Sequence, residues 1–161
     1  VLVTTLALSG CGQSKCLDCG GDNPCPSFLG TYVGEQKGGV DDCQWWDLLE
    51  GTSLIRVVGQ DGNVLQVENQ DSRGLWGLYD GRICNTSAQQ VPRRYKFSAS
   101  YDHSEVGSDF QLFYTMTGRF TEADGASPAR VDGILTISLF FPGTAEADCV
   151  LSGAFDGERT Q

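Results

Sequence analysis

The residues of this chain with the chemistry to act on a partner are seven cysteines, one histidine and three tryptophans. His103 stands in Tyr101-Asp102-His103-Ser104-Glu105, where a base, carboxylates and a hydroxyl are sequence neighbours. Nucleophilic catalysis by such groups needs convergence in space, and adjacent residues seldom converge that way. No Gly-x-Ser-x-Gly elbow accompanies them. The stretch reads as a polar hairpin loop between two strands, and a hydrolase built on His103 is the weakest of the functional expectations. The chain is not expected to be an enzyme.

Cys16-Leu17-Asp18-Cys19 has the spacing of a zinc or thiol-redox pair. A structural zinc needs four ligands, yet no second Cys-x-x-Cys follows and the single histidine is remote. A redox pair would open a helix after a strand, whereas Gly, Asp, Asn and Pro surround this one. Asp41-Asp42 and Glu122-Ala123-Asp124 lack the spaced oxygen ligands of a calcium loop and read as solvated turns. No phosphate loop or dinucleotide fingerprint occurs. No metal and no cofactor is therefore expected. Trp45, Trp46 and Trp76 are the candidates for ligand binding. Adjacent residues of a strand face opposite ways, so one of Trp45 and Trp46 is expected to be exposed or to cover a barrel mouth. Exposed aromatics bind sugars, lipids and proteins. The competing reading packs both on the core or against the cysteine-rich segment.

The elements that must position these residues are strands. The chain has 161 residues, the size of one domain, and 40% apolar residues are enough to bury a core. Twenty-one glycines, eight phenylalanines and one methionine lean toward β structure with many tight turns. Net charge is -10 and the isoelectric point about 4.3. Nucleic acid and anionic membrane surfaces are excluded as electrostatic partners, because both need clustered Lys and Arg. The one dense basic group, Arg93-Arg94-Lys96, is too short for that. No run approaches the roughly 20 apolar residues that span a bilayer as a helix.

Residues 12–27 carry Gly, Ser, Asp, Asn, Pro and Cys and read as a tether. From Phe28 onward the signal is alternation, which marks strands with one buried face. Tyr95, Phe97, Ala99 and Tyr101 form one inner row. Leu112, Tyr114, Met116, Gly118 and Phe120 form the next, then Leu135, Ile137, Leu139 and Phe141, then Cys149, Leu151, Gly153 and Phe155. Earlier strands are expected over 28–34, 54–59, 64–69 and 75–79, making about eight. Asp61-Gly62, Asp80-Gly81, Asp124-Gly125 and Asp132-Gly133 read as hairpin turns between them. Residues 41–50 form one short helix or a loop around the tryptophan pair.

Gly30-Thr31-Tyr32-Val33-Gly34, Gly77-Leu78-Tyr79-Asp80-Gly81 and Gly153-Ala154-Phe155-Asp156-Gly157 share the pattern Gly, x, aromatic, x, Gly. In a strand these positions share a face, and the glycines let a sheet coil while the aromatic covers the gap. Coiling antiparallel hairpins suit a closed barrel without free edges. From Phe28 to Arg159 the strand rhythm resembles small up-and-down barrels of the lipocalin-like and avidin-like kind. The resemblance implies a fold and names no ligand. A two-sheet sandwich is the alternative.

The N-terminal residues carry a second resemblance. Leu8-Ser9-Gly10-Cys11 follows the apolar run 1–8 and resembles the lipobox of bacterial lipoproteins. A signal peptide also has a basic leading region, so residues are expected to precede Val1. The resemblance implies that Cys11 takes up a diacylglyceryl group and becomes the first mature residue, its amine open to further acylation. Stable anchoring takes two lipid signals or more, which such chains supply. Gly12 is not the aspartate that favours inner-membrane retention, so an outer-membrane or surface location is preferred. The alternative reads 1–8 as an ordinary first strand. Setting Cys11 aside leaves Cys16, Cys19, Cys25, Cys43, Cys84 and Cys149, an even set that in an exported chain reads as disulfides. Their pairing stays open among about 15 connectivities.

The sequence therefore divides into a signal-peptide remnant (1–10), a lipid-anchored cysteine-rich tether (11–27) and one all-β domain (28–161). The expected function is a membrane-anchored extracytoplasmic lipoprotein whose barrel binds a small apolar or glycan ligand. The alternative is an envelope protein that docks a partner without a ligand. Oligomeric state is left open.

Overall fold

The computed structural model describes residues 26–44, 49–70, 76–85, 93–103 and 109–160, with the backbone alone at 76, 84 and 85. Eight strands follow in chain order: β1 Gly30–Asp41, β2 Gly51–Asp61, β3 Val64–Gln70, β4 Trp76–Asn85, β5 Arg94–His103, β6 Gln111–Thr121, β7 Arg130–Phe140 and β8 Cys149–Arg159. Each is antiparallel to the next, and β8 returns to pair with β1. This is an up-and-down barrel, so the sandwich alternative falls: the β1–β8 ladder leaves the sheet no edge.

The strands are strongly staggered. A paired row from Val40 through Ser152, Thr136, Thr115, Ser100, Asp80 and Gln66 arrives on β2 at Gly59. That point lies beyond the Gly30–Val57 pair at the end of the β1–β2 ladder. One circuit therefore drops the length of β1, a larger stagger than the shear of about 8 in eight-stranded parallel barrels. Larger stagger means more tilt and a wider lumen, which holds side chains or one small ligand.

The inner rows are those the alternation predicts. Tyr95, Phe97, Ala99, Met116, Phe120, Leu135, Ile137, Leu139, Leu151 and Phe155 are buried, while Phe141 lies past β7 and is exposed. Tyr32, Tyr79 and Phe155, the aromatics of the three repeated pentads, are all buried. Phe97, Gly118, Gly133 and Phe155 are successive partners across β5 to β8. A Cβ at Gly118 would meet Asp132 O and, at 2.9 Å, the Phe97 ring; one at Gly133 would meet Thr117 O and, at 2.6 Å, the Phe155 ring. The two glycines bring the backbones together and the two phenylalanines roof them.

That packing corrects two turn expectations. Asp61-Gly62 opens the two-residue β2–β3 turn, with Gly62 at φ 57°, and Asp124-Gly125 lies in the β6–β7 loop. Asp80-Gly81 and Asp132-Gly133, however, lie inside β4 and β7. Their glycines serve close approach rather than a bend: a Cβ at Gly81 would sit 2.6 Å from Ala99 Cβ. β4 consequently runs well past the expected 75–79. β1 also extends beyond its expected end to Asp41, held by β8 through a register shift between Gly38 and Val40.

One end of the barrel is sealed. Phe28 stacks on Phe120 at 4.7 Å and meets Tyr95 edge-on at 5.3 Å. Tyr32 Oη donates to Phe28 O at 2.9 Å. Gln60 fixes the incoming chain, accepting from Phe28 N and donating to Pro26 O, both at 2.9 Å. At the other end Cys43 and Cys149 form a disulfide that ties the β1–β2 connection to the start of β8 across 106 residues of sequence. Segments 1–10 and 11–25 lie outside the described residues, with Cys11, Cys16, Cys19 and Cys25; Cys84 pairs through its backbone with Lys96 in β5.

Candidate functional site

The end opposite the aromatic seal carries inward polar side chains. On β1 the inner row runs Tyr32, Gly34, Gln36; on β2 it runs Ser53, Ile55, Val57; on β3 it runs Leu65, Val67, Asn69. Ser53 pairs with Gly34, one inner position from Gln36, and Asn69 pairs with Ile55, one inner position from Ser53. The three are diagonal neighbours, close enough for their side chains to act together. Because the strands tilt, the diagonal runs around the wall rather than along it. Gln36, Ser53 and Asn69 are 5%, 0% and 4% exposed. Gln36 Nε2 and Ser53 Oγ are buried without a hydrogen-bond partner among the described residues. A buried polar group normally has one, because its lost hydration is otherwise uncompensated.

The wall continues as aromatic. Asn69 pairs with Gly77, over which the rings of Tyr79 and Tyr101 lie at 3.0 and 3.5 Å from where a Cβ would stand. Tyr101 pairs directly with Tyr114. Ring centroids are 5.9 Å apart for Tyr79–Tyr101, 5.7 Å for Tyr101–Tyr114 and 6.4 Å for Tyr79–Tyr114. Tyr101 and Tyr114 are half-buried. Outside this wall, Gly34, Glu35, Gln36, Lys37, Glu50, Gly51 and Thr52 line an open groove of about 480 Å³ along the β1–β2 seam. Lys37 Nζ lies 3.0 Å from Glu35 Oε2 at its rim, and that carboxylate raises the lysine pKa.

His103 is not in a loop: β5 continues through it. Its Nδ1 is 2.9 Å from Tyr101 Oη, which fixes the ring at the end of the inner row. Asp102 is exposed on the opposite face, its two oxygens accepting from Gln111 Nε2 at 3.0 and 3.1 Å. The Asp-His neighbours are thus held on opposite faces, and Ser104 and Glu105 lie outside the described residues. Asp42 and Asp124 are exposed in turns, as expected of solvated carboxylates, and Asp41 departs from that reading. Asp41 ends β1 with both oxygens buried, since its partner Leu151 faces inward. Asp124 caps its own loop by accepting from Ala126 N and Ser127 N.

Trp45 and Trp46 lie outside the described residues, next to Leu49, which is buried against Gly153. Trp76 opens β4 opposite Gln70. The polar wall of Gln36, Ser53 and Asn69 is absent from the sequence-derived candidates. Its signal was present: each is a polar residue on an otherwise apolar or glycine inner row. No protein-family model, curated protein or solved structure matches the chain.

Proposed function

We propose that this chain is an exported, lipid-anchored barrel that binds a small ligand at its polar end. The observation that carries the binding part is the contrast between the two ends. One is packed with aromatic rings, while the other buries Gln36 Nε2 and Ser53 Oγ, without partners among the described residues, on a wall that continues into half-buried tyrosines. Unsatisfied buried donors cost stability, so their retention at one level of the wall fits a ligand that satisfies them. Export is supported by the Cys43–Cys149 bond, which persists in oxidising compartments. Anchoring at Cys11 is supported by the lipobox resemblance of Leu8-Ser9-Gly10-Cys11. Binding here means recognition without turnover.

Titration with N-phenyl-1-naphthylamine, read by dye emission and tryptophan fluorescence, tests the reading. A single saturable site is expected. Absence of saturation by dye and by polar ligands alike moves the account to a second reading, docking of an envelope partner. The outer row Ser100, Thr115, Thr136 and Ser152 favours that second reading, because it crosses four strands without a charge on a chain of net charge -10.

A further inference from the structure

We infer that the ligand of the polar end is an uncharged saccharide, a refinement that rests on the binding function proposed above. A sugar presents two surfaces, an edge of hydroxyls that each donate and accept, and a face of C–H groups. The wall offers a counterpart to each. Gln36 Nε2 supplies donors and Ser53 Oγ both donates and accepts, and neither has a partner among the described residues. Asn69 adds an amide on the same diagonal. Tyr101 and Tyr114 present ring surface beside them, directly paired across β5 and β6 and half-buried.

The same wall excludes two rival classes. A long apolar chain needs a deep apolar lumen, and the sealed half is filled by Phe28, Phe97 and Phe120, with centroids 4.6 to 4.7 Å apart along the stack. An anionic ligand needs a cation or a cluster of backbone N–H groups. The diagonal and the tyrosines contain no Lys or Arg, and the chain carries net charge -10. Of the three polar residues, Gln36 also borders the open groove on the β1–β2 seam.

The test uses the full chain on an array displaying neutral glycans beside sialylated and sulfated ones, with thermal denaturation of the same preparations. Retention on neutral glycans only is expected. Gln36→Leu and Ser53→Ala each lower it about tenfold, the effect of losing one good hydrogen bond. Both leave Tm unchanged or raise it, because each removes a buried polar atom that has no partner among the described residues. Ser138→Ala, on the outer face, changes neither. Retention on acidic glycans only, or unchanged retention in both variants, overturns the inference. A lowered Tm in both variants overturns it too, because it makes the two groups structural. Saturable N-phenyl-1-naphthylamine binding with no glycan retained overturns the saccharide and leaves the binding barrel standing; failure of both ligands removes the barrel site itself.

Discussion

Tyr32 shows how much one side chain does in this fold. Its ring lies 5.7 Å from Phe120, and its hydroxyl donates to Phe28 O, fastening the incoming chain over the sealed end. Burial raises its pKa above 10.0, while Arg159 opposes the shift; burial likewise raises Tyr95. A raised pKa means the folded state holds the proton longer than the unfolded state. The stabilisation is therefore complete below pH 10 and is lost as pH climbs through the folded value. Tyr32→Phe is expected to cost about 1 kcal/mol at pH 7, the worth of one hydrogen bond. That cost shrinks above pH 10, where only the wild type has a phenol to ionise at this position. Urea denaturation at neutral and alkaline pH checks both limbs. At this scale the aromatic core was legible in the sequence, because alternation marks inward positions directly. The hydrogen bonds were not. Gln60 fastening Pro26 and Gln111 drawing Asp102 outward depend on partners brought near only by the barrel.

Among the elements, the strands carrying clean alternation were the readable ones. β5, β6 and β8 begin and end close to where the pattern does. β1 and β4 were read short because glycine and charged residues interrupt them, and only neighbouring strands hold those stretches extended. The Asp-Gly pairs show why a local rule fails inside a barrel. In a hairpin the glycine supplies a positive φ, as Gly62 does. Inside β7, Gly133 has no such role and instead admits Thr117 O and the Phe155 ring. Gly133→Ala is expected to destabilise the protein by about 1–3 kcal/mol through overpacking, without changing secondary structure. Chemical denaturation followed by near-UV and far-UV circular dichroism reads both quantities. The polar wall escaped notice for a related reason. Its three members stand on three strands, and only register and tilt gather them.

On the scale of the whole molecule, closure decides what the barrel can offer. With β8 paired to β1 there is no free edge, so recognition falls to the outer faces or to an end. One end is packed by aromatic rings and receives the chain at Pro26; the other bears the polar wall and the Cys43–Cys149 bond. The barrel itself was legible from strand rhythm, the glycine pentads and the lack of any helical period. Its closure over a sandwich was legible too, from the coiling hairpins, and the pairing of the first strand with the last, on which the two architectures differ, bears that out. In the proposed arrangement residues 11–25 reach at most about 50 Å when extended, which keeps the barrel near the membrane that holds it. The central claim is that the chain is exported, acylated at Cys11 and stapled by its other cysteines. Intact mass spectrometry of the protein extracted from membranes of its own cell, before and after reduction, tests this most directly. A mature chain beginning at Cys11, carrying acyl mass, and gaining two hydrogens for each of three disulfides on reduction is expected. A chain that retains residues 1–10 with an unmodified Cys11, or that gains nothing on reduction, contradicts it.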